Sequence, residues 1–253
     1  MGFGEAHTGP ATVALTEGCV YVGGERVYLT SRENDVLTAI AISGKPQSTD
    51  ALLESVWPDE DPVRTRLSLK VYVHRLRRRL TNPNFLLCDR SLWSLGDGVR
   101  VDVFEWRNLA RNVSGQLAPQ ELSELQVGYN RLLAGLPGIY ARSPLVNQVD
   151  LLFQQVLHDV GTRIVDDAVG RRAFGRAIAI AREMNLMDPL ADDWEAAVAD
   201  ARLKLSETVS FLERKKRCNS NSTVSGGTNG EQGSSSHVGS DVRIDVSIGV
   251  DWV

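Results

Sequence analysis

The stretch from Pro62 to Leu80 carries seven Lys or Arg and no acid, and its spacing is the most chemically suggestive in the chain. Leu69, Val73, Leu76 and Leu80 recur four, three and four residues apart, the period of one buried stripe on an α-helix. A helical wheel places Arg64, Leu67, Ser68, Val71, His74, Arg75 and Arg78 on the opposite side, with Arg66, Lys70, Arg77 and Arg79 flanking the stripe. A helix so anchored fits the major groove of B-form DNA, where a guanidinium bonds guanine O6 and N7 bidentately. Arg64, Ser68, His74, Arg75 and Arg78 are expected to meet bases and phosphates, and Leu67 and Val71 to touch thymine methyls. The bland alternative is a solvated basic face with no partner.

Other chemistry finds little support. His7, His74, His158 and His237 lie far apart, and Cys19, Cys88 and Cys218 have no metal-ligand spacing. Asp166-Asp167 and Asp192-Asp193 are adjacent pairs, and neighbours on a helix point about 100° apart, so solvated or capping acids are expected there. No Gly-rich phosphate loop precedes a helix, and no Ser or Cys nucleophile motif occurs. No enzyme, catalytic residue, metal or cofactor is therefore expected. Cys19 and Cys88 sit among strand-like apolar residues and read as small core side chains.

The chain has 253 residues, enough for two modest domains, with 42% hydrophobic and 24% charged residues as in ordinary globular protein. No long apolar run and no basic segment leading into an apolar one occurs, so a cytoplasmic, nucleoid-associated location without membrane contact is expected. The net charge of -4 argues against a nucleic-acid partner only if charge is spread evenly. It is not: an acidic knot, Asp59, Glu60 and Asp61, directly precedes the basic helix. Salt screens charges beyond about 10 Å, so a local basic face is what matters.

The elements that would position this helix are legible around it. ATVAL, CVYV and RVYL in residues 12 to 29 read as short strands, with Glu17-Gly18 and Gly23-Gly24 as turns. Thr30 or Ser31 caps a helix with Glu33 placed for a capping box and Val36, Leu37, Ile40 and Ala41 inward. Ser48 or Thr49 opens a shorter one that buries Leu52, Leu53, Val56 and Trp57 and ends at Pro58. After the basic helix, FLLC, Asp89-Arg90-Ser91 and LWSL form a hairpin with Arg90 at its tip, aimed at a minor groove or phosphate. Strands, three helices and a hairpin are the order of a winged helix-turn-helix, over residues 12–102.

Residues 103–217 read as helical throughout. Leu122, Leu125, Tyr129 and Leu132 mark one helix, and Val149, Leu152, Phe153, Val156, Val160 and Ile164 a long one. Two more follow, and Gly170, Ala173, Gly175, Ala177 and Ala181 suggest close helix approach, as in stacked helical hairpins of the TPR type. Residues 218–240 are Ser, Gly and Asn-rich and read as a flexible linker. In 241–253 apolar and polar residues alternate as in an amphipathic strand, expected to pair with a sheet edge of another subunit or partner. The fold class is thus α+β: a winged helix-turn-helix, an all-α helical-hairpin domain, and a tail ending in one strand.

The motifs LTSRENDVL (29–37), LLESVWP (52–58) and LKVYVHRLRRRL (69–80) resemble the OmpR/PhoB-type winged-helix domain. Asp102 and Phe104, Gly135-Leu136-Pro137 and DPLADD (188–193) resemble the bacterial transcriptional activator domain of Streptomyces antibiotic regulatory proteins. Where that wing usually reads Gly-x-Gly-Tyr, this chain has Arg90-Ser91-Leu92-Trp93. The resemblance implies a transcription regulator that binds double-stranded promoter DNA at direct repeats as a homodimer and, as an activator, contacts RNA polymerase. The loop Pro58–Val63 would take part in activation, although its acids would equally cap the next helix. A receiver domain has no room before the first strand, so control by receiver phosphorylation is not expected. The alternative reading is a winged-helix protein-interaction module without DNA binding, using the terminal strand.

Overall fold

The computed structural model describes residues 10–82, 84–188 and 192–222. Most of the linker, 223–240, and the whole alternating segment 241–253 lie outside the described residues. Two compact units are present, Met1–Glu207 and Thr208–Val253.

The chain enters on a meander. β1 (Ala11–Ala14) pairs antiparallel with β2 (Cys19–Val22), and β2 pairs with β3 (Glu25–Val27). Gly23 and Gly24 join the last two, both at positive φ, the backbone that two-residue hairpin turns demand. α1 (Ser31–Ile42) opens with a capping box: Glu33 N–H donates to Thr30 Oγ1, and Thr30 N–H donates to Glu33 Oε2 at 2.9 Å. α2 (Thr49–Val56) is capped by Ser48, and α3 (Pro62–Arg79) by Asp61, whose carboxylate accepts from Val63 N at 3.1 Å. Proline suits the first turn of α3, where its missing N–H would be unbonded anyway. Leu69, Val73, Leu76 and Leu80 are buried against Leu37, Ile40, Leu52 and Val56, the three-helix core expected from the spacing.

A hairpin of β5 (Leu86–Asp89) and β6 (Leu92–Leu95) follows. Two strands escape the sequence reading because they are too short to show a period. β4 (Gln47–Ser48) pairs with β6, making the hairpin the outer part of a three-stranded sheet. β7 (Val99–Val101) lies parallel to β1 and completes the sheet in the order β3-β2-β1-β7. Cys19 is buried as expected, and burial pushes its thiol up. Cys88 is not a core side chain: only Leu86 of β5 is buried, and Cys88 is exposed.

The helical part comprises α4 (Asp102–Asn112), α5 (Pro119–Leu133), a 3-10 turn (Gly138–Tyr140), α6 (Val146–Gly170), α7 (Phe174–Met187) and α8 (Asp192–Ser222). α6 is its centre, packed against α4, α5 and α7 with Val149, Leu152, Phe153, Val156, Val160 and Ile164 buried. α8 buries Trp194 and Ala201, and His158 of α6 tilts against the Trp194 ring at 5.1 Å. Helix continues to Ser222, past the expected linker start at 218, because Asn and Ser are only modestly poorer helix formers than their predecessors. In the second unit, Val209, Phe211 and Leu212 of this helix are exposed.

The close helix approaches fall on glycines other than those expected. A Cβ at Gly170 or Gly175 would meet nothing within 4 Å, whereas one at Gly128 of α5 would lie 2.5 Å from Trp106 Cδ2 of α4. Alanine raises helix propensity by about 1 kcal/mol over glycine, while overpacking a rigid ring costs about 1–3 kcal/mol. Gly128→Ala is therefore expected to lower the denaturation midpoint and Gly175→Ala to hold or raise it. Equal midpoints for Gly128→Ala and the parent would show that Trp106 yields freely.

Winged helix and helical part share a buried polar seam. Ser143 Oγ donates to Asp35 on α1 at 2.7 Å, and the Thr38 and Tyr140 hydroxyls are 3.4 Å apart. Burial raises the Asp35 carboxyl above its ordinary value, against the pull of Ser143 and Arg32. Arg131 of α5 reaches Glu17 at 2.5 Å.

Candidate nucleic-acid interface

The exposed face of α3 is built by what holds its other face down. With the leucine stripe inward, Arg64, Leu67, Val71, His74, Arg75 and Arg78 are all exposed. Ser68 is half-buried, its hydroxyl turned back to the Arg64 carbonyl at 3.3 Å. Leu67 and Val71 are 64% and 48% exposed, so two aliphatic side chains stand in solvent between cations. The fold's own packing gives no use for them there.

The seven cations of α3 divide sharply by partner. Arg66 is paired with Asp50 of α2. Arg77 donates through Nε and Nη2 to the Leu86 carbonyl, at 3.2 and 2.6 Å, and so ties α3 to β5. Arg79 donates to Glu33 at 3.1 Å and to the Tyr28 carbonyl at 3.4 Å. Burial pushes the Glu33 carboxyl up, but hydrogen bonds from Thr30 and the charge of Arg79 outweigh it and hold the group below its ordinary value. Glu33 is thus a buried anion and Arg79 its counterion. Arg77 and Arg79 thus belong to the fold, and Arg66 shares an exposed ion pair with Asp50.

Arg64, Lys70, Arg75 and Arg78 have no carboxylate or carbonyl acceptor among the described residues. Arg75 instead lies over the Tyr72 ring, 5.7 Å from its centroid. The sequence places Lys70 on the flank with Arg66, Arg77 and Arg79; it alone of the four is left without an acidic or carbonyl partner among the described residues. The wheel angle is the same kind of signal for all four, and only tertiary partners separate them.

Arg90 stands apart from this face, exposed at the tip of the hairpin. Arg90 and Ser91 both adopt positive φ, +46° and +68°, where the turn would favour Asn-Gly. The tip is anchored to the start of α2: Thr49 donates through N and Oγ1 to the Ser91 carbonyl, at 3.0 and 3.2 Å. Trp93 is buried, and its indole N–H donates to Thr49 Oγ1 at 2.9 Å. The departure from Gly-x-Gly-Tyr is therefore accommodated by a wing fastened to α2.

The acidic knot is partly occupied by the fold. Asp61 caps α3, Glu60 is 4.0 Å from Arg32, and Asp59 stands exposed. Among the described residues no group of three or more His, Cys, Asp or Glu is arranged to hold a metal. None of the described helices is long and apolar enough to cross a membrane.

Residues 24–87 match the family model described as "Transcriptional regulatory protein, C terminal". That family is the OmpR/PhoB-type winged-helix domain of DNA-binding transcription regulators. The match runs from the β2–β3 turn through all three helices into β5 and stops before the altered wing tip. The helical part, with its resemblance to the activator domain, lies outside it. No match was found among curated proteins.

Proposed function

We propose that the chain is a sequence-specific activator of transcription that inserts α3 into the major groove of promoter DNA. One observation carries this reading: Arg64, Lys70, Arg75 and Arg78 are exposed and left without acceptors among the described residues, on a helix whose other arginines are all paired. Phosphate oxygens and guanine edges are the acceptors such cations fit. His74 and Ser68 add hydrogen-bonding reach, and Leu67 and Val71 offer the apolar surface that thymine methyls require. Arg90 reaches phosphate or the adjacent minor groove from the wing.

In this reading residues 12–102 are the DNA-binding domain and 103–217 an activator-type domain of TPR-like helical hairpins. Segment 218–240 is a linker, and 241–253 a strand that pairs with a partner's sheet edge. The chain acts as a homodimer on direct repeats in the cytoplasm and contacts RNA polymerase, with Asp59 the acid of the α2–α3 loop still available to a basic surface. The resemblance of Asp102, Phe104 and Gly135-Leu136-Pro137 to the activator domain supports the assignment of the helical part.

The test is binding of the purified chain to genomic DNA fragments, its own promoter among them, over a salt series. Selective retention of a few fragments, with log K falling by about 0.9 per phosphate neutralised for each decade of salt, is the expected result. Weak binding of equal strength to every fragment would replace the reading with that of a protein-interaction module.

A further inference from the structure

Among the acceptor-free cations of α3, Arg75 differs from the others in having its side chain supported. Tyr72 lies one turn before it, three residues earlier, so the two side chains share a side of the helix. The guanidinium carbon of Arg75 is 5.7 Å from the Tyr72 ring centroid, within the range of about 6 Å at which a ring face attracts a cation. Tyr72 in turn is stacked on Trp57, with centroids 6.0 Å apart and planes 28° from parallel. Trp57 closes α2, is only 6% exposed, and belongs to the core. Arg75 therefore rests on a two-ring shelf footed in the core, whereas Arg64, Lys70 and Arg78 have no such support among the described residues.

Resting on the DNA-binding reading above, we propose that Tyr72 is a positioning residue that presets Arg75 to read one guanine, while Arg64, Lys70 and Arg78 neutralise phosphate. Binding to phosphate tolerates many side-chain conformations because the backbone presents charge along its whole length. A bidentate bond to guanine O6 and N7 needs the planar fork in one orientation. Arginine loses much rotamer freedom when so held, and a shelf that removes that freedom beforehand lowers the cost of reading. The stack on Trp57 holds the shelf in place, so the orientation of the Arg75 fork is set from the core outward. The Tyr72 hydroxyl takes no part, and phenylalanine would serve equally.

The experiment uses the full chain and a duplex selected by it from a randomised library, with a random-sequence duplex of equal length as control. In the parent, 7-deazaguanine at the guanine read by Arg75 removes the N7 half of the bidentate contact and is expected to weaken binding about tenfold, and Arg75→Ala is expected to abolish that sensitivity. In Tyr72→Leu the same base replacement should weaken binding only about twofold, while random-duplex affinity and salt dependence stay at parental values, all measured at a temperature where the variant is folded. Tyr72→Phe should behave as the parent. Tyr72→Met replaces the leucine variant if the latter loses stability. Full sensitivity retained in Tyr72→Leu overturns the proposal. So does equal loss of selected and random binding, a Tyr72→Phe variant that fails like leucine, or the absence of any guanine whose reading depends on Arg75. A parent that selects no sequence removes the DNA-binding reading itself, an outcome visible before any variant is made.

Discussion

Replacing Arg75 and Arg78 together with alanine is expected to weaken binding to the selected promoter fragment by about two to three orders of magnitude, with little change in Tm. A good base contact is worth about 1–3 kcal/mol of discrimination, and each phosphate no longer neutralised takes about 0.9 off the salt slope. The two variants should therefore fail differently: Arg75→Ala in selectivity, Arg78→Ala in affinity for all duplexes and in salt slope. Neither side chain bonds a carboxylate or carbonyl among the described residues, so the fold is little weakened by removing them. Arg79→Ala is the informative contrast. It leaves Glu33, which is fully buried, without its counterion. Stranding a buried charge is strongly destabilising, so that variant should lose Tm first and DNA binding only as a consequence. Undiminished selective binding by the double variant, measured at equal fold stability, would sink the assignment of α3 as the reading element.

That contrast could not have been drawn from sequence. The capping box at Thr30 and Glu33, the stripe Leu69–Val73–Leu76–Leu80 and the hairpin were legible because each is local, resting on spacings of two to four residues. The division of the arginines is not local. Arg77 finds its acceptor nine residues away, Arg66 sixteen and Arg79 forty-six. On a helical wheel all three, and Lys70, are simply flanking positions. The Tyr72 shelf was hidden for the same reason, since its foot, Trp57, comes from another helix. Short strands escaped differently: β4 has two residues and β7 three, too few to display alternation. Small residues in α6 and α7 were legible as a composition, but which glycine takes a close neighbour depends on helix rotation. Among the described glycines of the helical part, only Gly128 and Gly161 have side chains pressed against them.

Asp102 shows the same limit at the junction of the two parts. Sequence singled it out only through family resemblance, with no role attached. In the structure its Oδ1 accepts from Leu15 N at 3.0 Å and Val103 N at 2.8 Å. Its Oδ2 accepts from Thr16 N at 3.2 Å and Thr16 Oγ1 at 2.6 Å. One carboxylate thus satisfies the end of β1 and the start of α4, where β7 hands the chain to the helical part. Asp102→Ala strands three backbone N–H groups at a site where the residue is 7% exposed. At about 1–3 kcal/mol for each unsatisfied buried donor, the expected loss is about 3–5 kcal/mol, read as a fall in the denaturant midpoint. Asp102→Asn keeps one oxygen and turns an NH2 toward the donors of the other, so a smaller loss of about 1–2 kcal/mol is expected.

The pH dependence carries a sign of its own. Burial pushes the Asp102 carboxyl above the ordinary aspartate value of 3.8, and the four donors pull it back only in part. A carboxyl raised in the folded state binds its proton more tightly there than in the unfolded chain. Its contribution is then full below the unfolded value and is lost as pH rises through the folded one. The stability gap between parent and Asp102→Asn should accordingly widen as pH falls from 7 toward 4, because asparagine cannot take up a proton. A gap that narrows over that range would mean that the four donors outweigh burial, and that the junction is held by a carboxylate whose charge the fold favours.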